Sequence, residues 1–82
     1  MITVQYFGVL KDRVGVAQEE LAWESGNTEA LLDQLKARND VWADALAPER
    51  VFRVVINDEI MYEVAPIQKG DRVAILPPVT GG

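Results

Sequence analysis

The chain has 82 residues, 49% of them hydrophobic, and its 13 acidic and 8 basic residues give a net charge of −5. This length and composition suit one small folded domain and exclude a disordered chain. The sequence contains neither cysteine nor histidine, which excludes disulfides, thiolate nucleophiles, and the commonest general base and metal ligand.

The first elements are predicted from short-range patterns. Residues 2–8 alternate in hydrophobicity, which predicts a first strand. Its two faces carry Ile2, Val4 and Tyr6 on one side and Thr3, Gln5 and Phe7 on the other. Residues 9–14 favour a helical turn ended by Gly15, and residues 17–23 favour a weaker second strand with Leu21 and Trp23 on one face.

The main helix is predicted to begin after Gly26. Thr28 can cap its amino terminus, and Glu29 suits the positive end of the helix dipole. An apolar stripe at helical spacing comes next, formed by Leu31, Leu32 and Leu35. A second short helix is predicted from an Asp40 cap to Pro48, and its inward-facing residues are Val41, Trp42, Ala45 and Leu46.

The remaining strands come after these helices. Residues 51–56 are the most β-prone run, and the turn dipeptide Asn57-Asp58 bounds them, so residues 60–62 can return as a hairpin partner. Pro66 interrupts the chain after this hairpin, residues 69–71 form a turn, and residues 72–76 form the last strand. The order β-β-α-β-β-β predicts an α+β domain, a small mixed sheet packed on one face by a helix.

The last six residues, Pro77 to Gly82, are the most informative about function. None is charged, and the two prolines favour an extended stalk of about 3.1 Å per residue. Six extended residues reach roughly 20 Å from the last strand. Such a stalk suits delivery of one terminal carboxyl group into a narrow active site of another protein. The predicted division is therefore a domain over residues 1–76 and an extended tail over 77–82.

Several classes of function are excluded. The eight basic residues are scattered, so the clustered positive charge that binds nucleic acid is absent. The first residues lack a basic segment before a cleavable apolar run, and no window is long enough to span a bilayer. The carboxylates, lysines and tyrosines form no catalytic constellation. We expect a cytoplasmic protein without membrane attachment and without an active site of its own.

Five short motifs are spread over the whole chain. They are Tyr6-Phe7-Gly8, Leu10 to Gly15, Val55 to Glu59, Gly70 to Ala74, and Pro77-Pro78-Val79-Thr80-Gly81-Gly82. Through these motifs the chain resembles, over its whole length, the family of small sulfur-carrier subunits of molybdopterin synthase. One departure is Ile75-Leu76, where members often carry aromatic residues.

The resemblance implies a ubiquitin-like β-grasp fold, with a mixed five-stranded sheet packed by one main helix and one or two short helices. It also implies a mechanism in which a ubiquitin-activating-like enzyme uses ATP to adenylate Gly82, and a sulfur-donor system converts it to a thiocarboxylate. The carrier then gives sulfur to cyclic pyranopterin monophosphate in the large catalytic subunit, within a heterotetramer of two small and two large subunits. The small chain itself holds no cofactor and no metal, and it is a sulfur donor rather than a catalyst.

The resemblance also assigns roles to residues. Gly82 carries the sulfur, and the residues that thread the partner's channel are Pro77, Pro78, Val79, Thr80 and Gly81. The apolar partner interface falls on Phe7, Ile60 and Leu76, with Met61 in place of Ile60 if the hairpin register differs by one. Two alternatives stay open: a carrier for thiamine or tRNA thiolation, and a ubiquitin-like interaction module whose tail is never activated.

Overall fold

The computed structural model describes residues 1–47 and 52–77. Predicted features at 48–51 and 78–82, among them Pro48 and the tail beyond Pro77, lie outside the described residues. Within these ranges the elements in chain order are β1 (Ile2–Tyr6), α1 (Gly8–Val14), β2 (Gln18–Leu21), β3 (Ser25–Asn27), α2 (Thr28–Lys36), α3 (Asp40–Ala45), β4 (Arg53–Ile56), β5 (Glu59–Met61), β6 (Pro66–Gln68) and β7 (Arg72–Leu76).

The five strands predicted from the sequence form one mixed sheet in the order β2-β1-β7-β4-β5. The central strands β1 and β7 run parallel, and the other neighbours in the sheet pair antiparallel. The helix α2 is the longest of the three described helices, and α1 and α3 are short. This is the ubiquitin-like β-grasp architecture, so the predicted fold class is confirmed.

Strand alternation sends every second side chain of the sheet into a single core. Buried residues of all three helices join the same cluster, so the helices cover one face of the sheet and leave the other face open. The sheet contributes Ile2, Val4, Tyr6, Val54, Ile56, Val73 and Ile75, and the helices contribute Leu10, Leu31, Leu35, Trp42 and Ala45.

A polar network joins the sheet to the helices at the edge of this core. The Tyr6 hydroxyl donates to Glu19 Oε2 at 2.6 Å, and the Arg38 guanidinium donates to both Glu19 oxygens at 2.8 and 2.9 Å. Arg38 also lies 4.6 Å over the Trp42 ring, whose centroid is 5.1 Å from that of Tyr6 in an edge-on arrangement. Burial raises the pKa of Tyr6 well above its usual range, and the Arg38 hydrogen bonds lower the pKa of Glu19.

Both predicted helix caps are wrong by one residue. Asn27 Oδ1 accepts from the Ala30 amide at 2.8 Å, and Asn39 Oδ1 accepts from the Trp42 amide at 3.1 Å, so two asparagines cap α2 and α3. Thr28 is buried instead, and its hydroxyl accepts from the backbone N–H of a residue in another segment.

The inward-facing prediction for α3 is correct for three residues and wrong for Val41. Trp42, Ala45 and Leu46 are buried, whereas Val41 is 52% exposed. A six-residue helix can present only a narrow stripe to the core, and Val41 lies beside that stripe rather than on it.

The sequence also failed to predict a second, two-stranded sheet in which β3 pairs antiparallel with β6. Pro66 begins β6 rather than interrupting the chain, a position where its missing N–H is tolerated. The predicted second strand is correspondingly shorter and ends at Leu21. Trp23 lies beyond it in the core, where its indole N–H donates to the Ile67 carbonyl at 2.9 Å and ties the small sheet to the domain.

The network around Glu19 makes stability depend on pH. Because the folded-state pKa of Glu19 is lowered, its stabilisation is fully present above the unfolded-state pKa and is lost as the pH falls through the folded-state pKa. We expect Glu19→Gln to lower the free energy of unfolding by about 1–3 kcal/mol near neutral pH. The difference from wild type should shrink below about pH 4. Urea denaturation across this pH range measures both effects.

Asp33→Asn is the matched control for this prediction. It removes a carboxylate whose contact with Lys36 is 3.7 Å long and exposed, so its effect should stay below about 0.5 kcal/mol. A Glu19→Gln difference that stayed constant down to acid pH would contradict the assigned role of the ion pair.

Candidate functional site: the outer sheet face and the root of the tail

The face of the sheet that the helices leave open changes from polar to apolar across its width. Strand register places five outward side chains in one row, which runs through Gln18, Gln5, Ala74, Val55 and Ile60. The two glutamines pair through their side chains at 3.1 Å on the β2 side. The three residues on the β7, β4 and β5 side are apolar, so the apolar half of this face lies away from β2.

Phe7 and Leu76 extend this apolar half toward the carboxyl ends of β1 and β7. Phe7 has an extended backbone (φ −130°, ψ 157°), which continues the alternation of β1 and directs its side chain to the outer face. Since Tyr6 pairs with Ile75 in the parallel register, the next residues along, Phe7 and Leu76, are neighbours. We call Phe7, Val55, Ile60, Ala74 and Leu76 the docking patch.

The structure brings the three predicted interface residues onto one face. Phe7 is 41% exposed and Ile60 is 45% exposed, although both are large and apolar. Met61 instead packs against the core, so of the two register alternatives the one with Ile60 outward is correct. Sequence reasoning missed Val55 and Ala74, although the alternation of residues 53–56 and 72–76 places both outward. Val55, Ala74 and Leu76 are half-buried. An apolar patch that is partly exposed on a small domain is typical of a partner-binding surface.

The root of the tail lies at the edge of this docking patch. Gly8 has φ +58°, and a Cβ atom there would lie 2.8 Å from Pro77 Cγ. The Pro77 ring therefore packs against a backbone surface that only glycine leaves open. The other predicted tail residues, Pro78, Val79, Thr80, Gly81 and Gly82, lie outside the described residues.

The remaining polar motif residues hold the hairpin turn against β7. Asn57 and Asp58 have left-handed backbones, with φ of 49° and 70°. The Asn57 side chain donates to Asp71 Oδ1 and accepts from the Arg72 amide, both at 3.0 Å. The Gln68 amide donates to Asp71 Oδ2 at 2.8 Å. This hydrogen bond, and after it the one from Asn57, lowers the pKa of Asp71. These residues serve the fold, as expected for turn residues.

No catalytic constellation is found among residues 1–47 and 52–77. One open hollow is lined by Arg13, Asp40, Val41 and Asp44, and it contains an Arg13–Asp44 ion pair of 3.0 Å. Across the described ranges, no cluster of carboxylates could hold a metal ion. Nor is any helix in the described part long and apolar enough to cross a membrane. What the described residues present is a partly exposed apolar surface beside the root of the tail.

Comparison with known proteins assigns the family. The model of the ThiS family matches residues 4–82. The chain belongs to the ThiS family. It is also 35% identical to the molybdopterin synthase sulfur carrier subunit of Escherichia coli (strain K12) and 33% identical to that of Haemophilus influenzae. Each alignment spans 82 residues and covers 100% of both chains, so the predicted resemblance to the sulfur-carrier family is confirmed.

A solved structure gives independent support for the fold of this ThiS family member. The crystal structure of SAMP1 from Haloferax volcanii superposes with a TM-score of 0.76, covering 99% of this chain and 98% of the other. The two sequences are 20% identical, so this likeness concerns the fold alone.

The packing of Pro77 on Gly8 can be tested with two matched glycines. Gly15 also has a left-handed backbone (φ +74°), but nothing lies within 4 Å of an added Cβ. We expect Gly15→Ala to lower the free energy of unfolding by about 1 kcal/mol, and Gly8→Ala by about 2–3 kcal/mol because it also displaces Pro77. Urea denaturation measures both losses.

Two further measurements isolate the contact. Adding Pro77→Ala to Gly8→Ala should raise the free energy of unfolding to that of Gly15→Ala, because the smaller side chain at position 77 removes the clash. Nuclear Overhauser contacts between Pro77 and Gly8 should be present in the wild type and lost in Gly8→Ala. Equal destabilisation by Gly8→Ala and Gly15→Ala would show that Pro77 does not depend on Gly8.

Proposed function

We propose that this chain is the sulfur carrier of a molybdopterin synthase and that the α-carboxyl group of Gly82 carries the sulfur. The observation that carries the proposal is the end-to-end relation to two molybdopterin synthase sulfur carrier subunits, at 35% and 33% identity. The docking patch supports it, because an apolar binding surface lies where the chain leaves the last strand for the tail. The absence of cysteine and histidine also favours chemistry at the terminal carboxyl group.

The proposed chemistry begins from an unreactive group. A free α-carboxyl has a pKa of about 3.3–3.7, so at neutral pH it is a carboxylate and a poor electrophile. An adenylating enzyme would join it to the AMP part of ATP and release pyrophosphate. A sulfur nucleophile from the donor system would then displace AMP and leave a thiocarboxylate. Sulfur transfer to cyclic pyranopterin monophosphate, with water supplying the oxygen, would return the ordinary carboxylate.

The division of labour depends on the groups that this chain presents. It supplies a docking patch, a fixed tail root at Pro77 and a terminus that ends in two glycines, whose lack of side chains suits a narrow channel. The partners supply acid–base groups, ATP and the pterin, and this chain holds no cofactor of its own. Because the same patch would serve both the adenylating enzyme and the large subunit, the two partners would bind alternately. We place this cycle in the cytoplasm, with the synthase assembled as two small and two large subunits.

The tail is tested by deleting Gly82. Since the deletion removes the proposed reactive carboxyl group and leaves the core untouched, we expect sulfur loading to be abolished. The free energy of unfolding should change by less than about 0.5 kcal/mol. Intact mass spectrometry, after incubation with the adenylating enzyme, ATP and the sulfur donor, should show one oxygen-for-sulfur exchange at Gly82 of the wild type alone. Loading of the truncated chain would refute the assignment of Gly82, and loss of folding would refute a free tail.

The docking patch is tested by polar substitution of an exposed apolar residue. We expect Phe7→Ser to weaken binding to the large subunit by about 30-fold or more, because aromatic anchors dominate such interfaces. Val41→Ser is the matched control, since Val41 is similarly exposed but lies on α3, across the core from the patch. It should change the dissociation constant by less than about threefold. Equal effects of the two substitutions would contradict the placement of the interface.

The same assays separate the alternative functions. Consumption of the thiocarboxylate only in a thiazole-forming or tRNA-thiolating system would assign the chain to thiamine or tRNA thiolation. Failure of a competent adenylating enzyme to release pyrophosphate with this chain would indicate a ubiquitin-like interaction module with an inactive tail.

A further inference from the structure

One charged side chain interrupts the apolar half of the outer sheet face. Arg53 begins β4 and pairs with Leu76 of β7, so its side chain is on the same outer face as the docking patch. Two residues further along the same strand, Val55 faces the same way. Arg53 is exposed, and its guanidinium forms no hydrogen bond or ion pair within residues 1–47 and 52–77.

A second arginine on this face shows the contrast. Arg72 also points outward, but its guanidinium contacts Asp58 at 3.3 Å, at the polar end near the hairpin turn. Arg72 therefore has a partner within the chain. Arg53 pairs with Leu76 and lines an open hollow with Tyr62 and Glu63, but it forms no ion pair within residues 1–47 and 52–77. The difference marks Arg53 as a charge that the described fold leaves available.

Covering the docking patch would remove water from Arg53. A buried guanidinium without an acceptor is strongly unfavourable, so a partner that covers the patch has to supply one. The planar fork of arginine matches a carboxylate through two parallel hydrogen bonds. The chain as a whole carries a net charge of −5, so a broadly acidic partner surface would be repelled. The fitting partner is therefore an apolar surface with a local carboxylate opposite Arg53.

We propose that Arg53 is a specificity-determining residue of the docking patch, which receives a carboxylate of the synthase large subunit beside the apolar contacts of Phe7 and Leu76. This inference rests on the proposed function and adds a charge requirement to it. An apolar patch alone binds many apolar surfaces, whereas an embedded arginine penalises every partner that lacks the carboxylate.

The first test compares two charge reversals. Arg53→Glu should raise the dissociation constant for the large subunit by roughly 100-fold, and Arg53→Gln by roughly tenfold. Lys36→Glu makes the same change in net charge on α2, across the core from the patch, and its ion pair with Asp33 is 3.7 Å long. This control should change the dissociation constant by less than about threefold. Matched urea denaturation curves would show that all three variants are folded.

The second test locates the carboxylate directly. Arg53→Lys places an amine in the patch, and a water-soluble carbodiimide joins amines to carboxylates in direct contact. In the complex we expect a cross-linked peptide between position 53 and an aspartate or glutamate of the large subunit. Lys36, an amine already present on the helix side, should form no link to that subunit.

The outcomes separate this inference from the function on which it rests. If the wild-type chain binds the large subunit but Arg53→Glu binds equally well, the inference is overturned and the proposed function stands. If the Arg53→Lys complex forms without a cross-link at position 53, the inference is likewise overturned and the proposed function stands. If the wild-type chain fails to bind the large subunit, the proposed function and the inference are both overturned.

Discussion

The parallel pairing of β1 with β7 is the constraint on which the core, the docking patch and the tail root all depend. Val4 pairs with Val73 and Tyr6 with Ile75, and all four side chains are at most 1% exposed. Parallel strands end at the same edge of a sheet, so the residues that come directly after β1 and β7 are brought together. A core contact between two strands far apart in the chain thereby places the docking patch beside the root of the tail.

The polar groups of the described region are used mainly to hold this arrangement. Glu19 is fully engaged by Tyr6 and Arg38, and Asn57 and Asp71 bind the turn to the last strand. Within the described ranges, no buried side-chain polar atom lacks a hydrogen-bond partner. Arg53 is notable against this background because its charge is not used by the described fold.

Strong local patterns were enough to predict most of the elements. Alternation in residues 2–8, the β-prone run at 51–56 and the apolar run at 72–76 predicted the three central strands, β1, β4 and β7. The spacing of Leu31 and Leu35 at helical period predicted α2. The two three-residue strands β3 and β6 could not be found this way, since three residues have no measurable period. Their pairing depends on Trp23, whose indole N–H reaches the carbonyl of Ile67 across 44 positions of the chain.

Choices between adjacent residues also required the tertiary structure. Asn27 and Thr28 can both cap a helix. The Thr28 hydroxyl accepts a hydrogen bond from the Ala65 amide at 3.2 Å instead, and Asn27 caps α2. Whether Ile60 or Met61 faced outward likewise depended on the register of the hairpin.

By itself, the sequence determined the fold class and the family, because strand alternation, helical spacing and short motifs can be read from local stretches of the chain. It also predicted a role for the Gly-Gly tail. Only the tertiary structure decided that Phe7 and Leu76 are neighbours, that Pro77 packs on Gly8 and that Arg53 lies beside Leu76 on the outer face. Those relations join segments that are distant along the chain. They exist only because burial of the sheet's inner face sets the register between its strands.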